Sequence, residues 1–187
     1  MAGQLLDEDR VEAAAAGARL RVAVLFCDLR GFTPIAETME PAQVRDLLEA
    51  YYQAMTRIVF DHGGTVMQYV GDEVFAVFGA PIPDPDCAAK AVRCARAMQE
   101  ETPRLGARLA DAGLPPVGYG IGVHLGEVVA AHVGNDIRRQ YAVVGDTVNV
   151  GSRLCSRSAG GDVVMSEAVL SAIEQPPPAE PLGPVPL

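Results

Sequence analysis

Hydrophobic and polar positions follow two rhythms along this chain, and the switches between them mark its elements. The stretch Val24 to Thr33, VLFCDLRGFT, opens on an apolar run that breaks at Asp28 and loosens at Gly31. Such a run predicts a buried strand, Arg21 to Asp28, with Asp28 at its mouth. From Glu40 and Pro41 to His62, the residues Val44, Leu47, Leu48, Tyr51, Tyr52, Met55, Ile58 and Val59 recur in steps of three and four. That spacing predicts a long amphipathic helix, stopped by Gly63 and Gly64. Met67 to Gly79, MQYVGDEVFAVFG, reads as strand, Gly71–Asp72 turn and strand, a tight hairpin with Asp72 at its tip.

Further along, Pro81 to Pro85 is a proline-marked loop, and Asp86 to Asp111 reads as a second helix that Pro103 interrupts or frays. Gly118 to Gly126 and Val128 to Val133 read as two short strands around a Gly-Glu turn. Gly134 to Gln140, which holds Arg138 and Arg139, reads as an exposed excursion. Tyr141 to Val144 is a strand, and Asp146 is placed as the N-cap of a helix reaching Arg157. Val163 to Met165 is a short strand, and Ser166 caps a last helix with Glu167 in its first turn. The order predicts an α+β sandwich with helices on one face of an antiparallel sheet. If the hairpin lies beside the first strand, Asp28 and Asp72 meet at one edge. Two carboxylates, water and phosphate oxygens would then make a magnesium site.

The 187 residues divide into an acidic, alanine-rich lead (1–18), one domain (19–175) and a tail (176–187) with six prolines, which cannot join a sheet centrally. A formal charge of −9 argues against non-specific binding to nucleic acid or acidic membranes. No run of eighteen apolar residues appears, so no membrane insertion is expected. Cys27, Cys87, Cys94 and Cys155 form no C-x-x-C pair and have no histidine at zinc spacing; reduced, buried thiols of a cytoplasmic protein are expected. His62, His124 and His132 have no convergent partners and read as structural. Asp84 and Asp86 read as a helix start rather than a calcium loop. Taken singly, Asp28 and Asp72 read as turn residues, and Asn149 and Arg153 as helix-surface residues.

The third motif, Gln140 to Leu154, QYAVVGDTVNVGSRL, changes that reading. With FCDLRGFT and QYVGDEVFAVFG in the same order, it resembles the class III nucleotidyl cyclase catalytic domain, from Arg21 to Glu174. The resemblance implies a ferredoxin-like βαββαβ sandwich assembled as a head-to-tail homodimer. It implies two Mg2+ or Mn2+ ions per site held by Asp28 and Asp72, with Leu29 beside them. Leu29, Arg30, Gly31, Phe32 and Thr33 would cradle the triphosphate through backbone N–H groups. Asn149 would orient the ribose, and Arg153, one helical turn on, would steady transition-state charge. Both would come from the partner chain, with Ile137 to Arg139 as a dimerisation arm.

Two positions depart from the family pattern. The purine-reading pair, usually lysine with aspartate or threonine for ATP and glutamate with cysteine for GTP, is here Gln68 and Ala142. A carboxamide complements adenine's edge, which favours ATP and cyclic AMP, while GTP or dual specificity stays open. The family's C-terminal phosphate-binding lysine is not matched, since Lys90 is the only lysine. The 176–187 tail therefore reads as truncated before that position. Rival readings are a degenerate cyclase fold kept as a regulatory nucleotide-binding module and a polymerase-palm-like or dinucleotide cyclase. The N-x-x-x-R helix does not belong to the latter.

Overall fold

The apolar run at the head of the chain becomes β1, Ala18–Arg30, longer than its apolar stretch and central in the sheet. The computed structural model describes residues 17–135, 137 and 139–184. The acidic lead up to residue 16, Arg138 and residues 185–187 of the tail lie outside them. β1 pairs antiparallel with β3, Glu73–Phe78, on one side and with β4, Gly118–Gly134, on the other. β2, Thr65–Val70, and β5, Arg139–Val144, extend the two edges, giving the order β2-β3-β1-β4-β5. This contains the ferredoxin-like arrangement read from the motifs.

Successive side chains of β1 point to opposite faces, and both faces are covered. Ala23, Leu25, Cys27 and Leu29 pack with helices α2, Pro41–Asp61, and α3, Cys87–Asp111. Val22, Val24 and Phe26 pack on the other face with Phe75, Val77 and Val143, and with Cys155 of α4, Asp146–Arg157. Helices therefore cover both faces, not one. Helix α1, Phe32–Ala36, follows β1 directly, and α5, Glu167–Leu170, ends the regular structure. Among the described residues no helix is long and apolar enough to cross a membrane.

Four local expectations are corrected. Helix α3 runs unbroken through Pro103. Losing that N–H costs about 3 kcal/mol. Burying Leu105 and Leu109 beyond it returns about 2 kcal/mol each, so the helix continues. Gly126-Glu127 is no turn: β4 is one strand paired with β1 from Gly118 to Ala130. Asp146 is the first helical residue of α4 rather than its cap, which is Gly145. Finally, β6, Val163–Met165, lies parallel to β4, because α4 first carries the chain back along the sheet.

The glycines of β4 mark clearance for α4. A Cβ at Gly122 would stand 2.2 Å from the backbone N of Cys155, and one at Gly126 would stand 2.5 Å from Oγ1 of Thr147. Gly122→Ala should therefore push α4 off the sheet and lower stability by about 2 to 3 kcal/mol. Gly106, in α3, has open space for 4 Å around the point where a Cβ would stand, so Gly106→Ala should raise stability by about 0.5 to 1 kcal/mol. Chemical denaturation of the two variants checks the contrast; equal effects would refute it.

Candidate functional site

β1 and β3 are in register with Asp28 opposite Glu73, which sets Asp72 in the hairpin turn beside the end of β1. Gly71 begins that turn with φ of 60°, a conformation glycine adopts without strain. The hairpin is clamped from α2: the Tyr52 hydroxyl donates to the Gly71 carbonyl, and its ring stacks on Tyr69 at 4.4 Å. A hydrogen bond of 2.6 Å joins the Tyr69 and Thr56 hydroxyls. The structure thus brings Asp28 and Asp72 together, as the motifs predict. Leu29 follows with its side chain buried in the core, so any contact it made with a cation would be through its backbone. Gly31 turns the chain with φ of 70° into α1, which no side chain caps.

Three carboxylates crowd this edge. Burial first, and then the neighbouring Asp72, push the Asp28 carboxyl above its ordinary range, against the opposing pull of Arg30. Glu73 is pushed up to about 7, by burial and then by Asp28 and Asp72. Arg30 answers part of the charge, with Nη1 donating to Oδ2 of Asp28 at 2.6 Å. Among the described residues no group of three or more acidic, histidine or cysteine side chains forms a ready cation cage. Asp28 and Asp72 fit a magnesium or manganese ion of the kind that takes one or two carboxylates and completes its shell with phosphate and water. Such an ion would relieve the repulsion they create.

Helix α4 carries Asn149 and Arg153 on its outer side. Thr147, Gly151, Leu154 and Cys155 are buried toward the sheet, whereas Asn149 and Arg153 are exposed. The structure therefore does not bring them to Asp28 of the same chain. Gln68 and Ala142 fall on β2 and β5, at opposite ends of the strand path. Gln68 pairs with Phe75, and a bulge at Met67 separates that register from the pairing of Val66 with Ala76. Phe75 stacks on Phe26 at 4.4 Å, so Gln68 shares the sheet face of Phe26 and Asp28.

The family profile of the adenylate and guanylate cyclase catalytic domain matches residues 15–180. The chain belongs to this family. Adenylate cyclase 1 of Rhizobium meliloti is 36% identical over 167 residues, covering 88% of this chain and 25% of that protein. The adenylate cyclase of Anabaena cylindrica is 33% identical over 171 residues, covering 90% of this chain and 34% of that protein. The chain thus spans a quarter to a third of the length of these curated relatives. Among solved structures, the guanylyl cyclase Cya2 superposes with a TM-score of 0.81 at 36% identity, over 83% of this chain and 79% of that one. The adenylyl cyclase CyaB from P. aeruginosa also gives 0.81, at 32% identity over 84% and 82%.

Sequence reasoning about this cyclase domain missed Glu73, Tyr52 and the side chain of Arg30. Arg30 carried a signal, since residues two apart on a strand share a face, which puts it beside Asp28. Glu73 carried none, because its approach depends on the register between β1 and β3. The histidines are engaged locally: Nδ1 of His124 meets Oγ of Ser166 at 2.8 Å, and Nδ1 of His62 meets the Ile58 carbonyl at 2.8 Å.

The raised Glu73 carboxyl gives this cyclase domain a pH signature. Between its ordinary value of 4.5 and about 7, the folded state holds a proton that the unfolded state has released. The resulting stabilisation is complete below pH 4.5 and is lost as pH rises through about 7. In chelator, the thermal midpoint attributable to this edge should fall across that window, Glu73→Gln should flatten the fall, and added Mg2+ should raise the midpoint more above the window than below it. A midpoint insensitive to both changes would contradict the assignment.

Proposed function

We propose that this chain is the catalytic domain of an adenylate cyclase, converting ATP to 3′,5′-cyclic AMP and pyrophosphate in a head-to-tail homodimer with two shared sites. One observation carries the reading: the acidic pair and the Asn149–Arg153 pair are both intact, yet stand on separate elements of one chain, with Asn149 and Arg153 exposed on the outer side of α4. A second copy, turned about a two-fold axis, supplies to each half what it lacks. The exposed Val129, Val133 and Val144 of β4 and β5, with Ile137 beyond them, support an interface there.

Asp28 and Asp72 would hold two Mg2+ or Mn2+ ions. When bound, these ions supply charge neutralisation and activation of the ribose 3′-hydroxyl. The backbone N–H groups from Leu29 to Thr33 face the triphosphate. Asn149 of the partner chain fixes the ribose so that the 3′-oxygen lies in line with the α-phosphorus. The new O–P bond forms as the bond to the β-phosphate oxygen breaks, the hydroxyl proton leaves to Asp28 or water, and pyrophosphate departs. Arg153 offsets the charge that grows on the phosphoryl oxygens.

Gln68 supports adenine, whose amino and ring nitrogen groups match a carboxamide. Guanylate or dual activity is the second reading, favoured by Ala142, which offers no polar side-chain atom to exclude guanine. An inactive nucleotide-binding module is the third, favoured by Ala142, which matches neither standard purine-reading pair. Incubation with Mn2+ and either ATP or GTP separates all three. Cyclic AMP should exceed cyclic GMP; the reverse supports the second reading, and no product from either supports the third.

Asp72→Ala should abolish turnover while leaving the fold intact, and turnover at the parent rate would refute the acidic pair's role. Mixing an Asp72→Asn chain with an Asn149→Ala/Arg153→Ala chain should restore roughly a quarter of the parental sites by random pairing. No restoration would refute the shared sites. Gln68→Glu combined with Ala142→Cys should shift the product ratio toward cyclic GMP, and an unchanged ratio would remove these positions from base selection.

A further inference from the structure

The side chain of Arg30 turns away from the loop that would hold phosphate and lies under the end of α4. Its Nη1 donates to Oδ2 of Asp28 at 2.6 Å, its Nε to the Ser158 carbonyl at 3.0 Å, and its Nη2 to Oγ of Ser158 at 2.9 Å. Nη2 also donates to the carbonyl of Cys155. A guanidinium at a helix C-terminus satisfies orphan carbonyls and complements the helix dipole. The slot exists because position 120 has no side chain: a Cβ there would stand 2.3 Å from Nη2 and 2.0 Å from Oγ of Ser158. Both members of the ion pair are largely covered, with 24% and 28% of their side chains exposed, so the contact is less screened than a surface pair.

We propose that Arg30 is a positioning residue that ties the Asp28 half-site to the helix carrying Asn149 and Arg153 in the same chain. This rests on the shared-site reading, in which those two half-sites serve different active sites of the dimer. One guanidinium then joins them: it holds one oxygen of the Asp28 carboxylate, leaves the other for a cation, and fixes the end of α4. The occupancy of one site is thereby transmitted to the groups that act in the other. The link has two identifiable ends, a carboxylate whose charge a cation would change and a helix terminus held by the same fork.

Mixed dimers test it. Pairing an Asp72→Asn chain with an Asn149→Ala/Arg153→Ala chain leaves one whole site, which takes its aspartates from the second chain and its α4 from the first. Arg30→Gln placed in the first chain touches that site only through α4. Turnover of the mixed dimer should fall about five- to tenfold, the scale of one lost charge-assisted contact. Arg30→Lys there should lose less, since it keeps the charge without the fork. In metal-free protein, Arg30→Gln should speed amide exchange across 149–158 while leaving the β1–β3 pairing protected.

Unchanged turnover together with unchanged exchange overturns the proposal. So does a loss seen only when Arg30→Gln sits in the second chain, which makes Arg30 a local ligand of its own site. Exchange that rises throughout the sheet, with lysine no better than glutamine, also overturns it by reducing Arg30 to general stability. If the mixed dimer is inactive with Arg30 intact, the shared-site reading fails. The exchange measurement, which needs no catalysis, then decides the Arg30 link alone.

Discussion

α4 packs on β4 too closely for a side chain at Gly122 or Gly126, and that contact fixes where the helix lies. The helix backbone rests on Gly122 and the Thr147 side chain on Gly126, while Gly151 of the helix lies against Val24 and Phe26 of β1. The Thr147 hydroxyl bonds the Glu127 carbonyl at 2.6 Å near the start of α4, and Arg30 holds its end. The helix cannot slide or roll without driving atoms into a strand. Asp28 at the end of β1 and the outer side of α4 therefore belong to one block. In the head-to-tail dimer proposed above, a rotation that matches one pair of half-sites matches the other as well.

Much of this was legible in the sequence, and the failures share a cause. Periodicity placed α2 within a residue at each end, because a long amphipathic pattern has few competing explanations, while the Gly71–Asp72 turn and Asp146 marked the hairpin and α4. The errors arose at residues with two physical uses. Gly126 serves as a turn former in one context and as clearance beneath a helix in another, and only the partner surface tells which. Pro103 breaks a helix unless packing beyond it outweighs the lost bond, as Leu105 and Leu109 do. The site divides in the same way: Asp28 and Asp72 stand inside local motifs, whereas Glu73 and the Tyr52 hydroxyl reach the site through register and helix packing, which no local pattern encodes.

The acidic edge concentrates like charge where the solvent is partly excluded. Burial and mutual repulsion both favour protonated carboxyls, and only Arg30 opposes them from within the chain. Such an arrangement costs the apo fold stability and is tolerated because the surrounding framework is strong: β1 is buried on both faces, and Tyr52 and Tyr69 hold the hairpin to α2. Local electrostatic strain and global packing are thus spatially separated, with the strain confined to the ends of β1 and β2.

The bulge at Met67 has a consequence for how this hairpin can vary. On the turn side of it, Gln68 answers to the phase set by the tip; on the other side, Thr65 and Val66 answer to the phase set by the helices. Met67 absorbs the mismatch between them. Removing that one residue would leave each cross-strand partner on either side where it stands, so position 67 acts as an expansion joint. Shortening the hairpin there would keep the pairing on both sides and withdraw only the Met67 side chain from the cluster that holds Phe26 and Phe75.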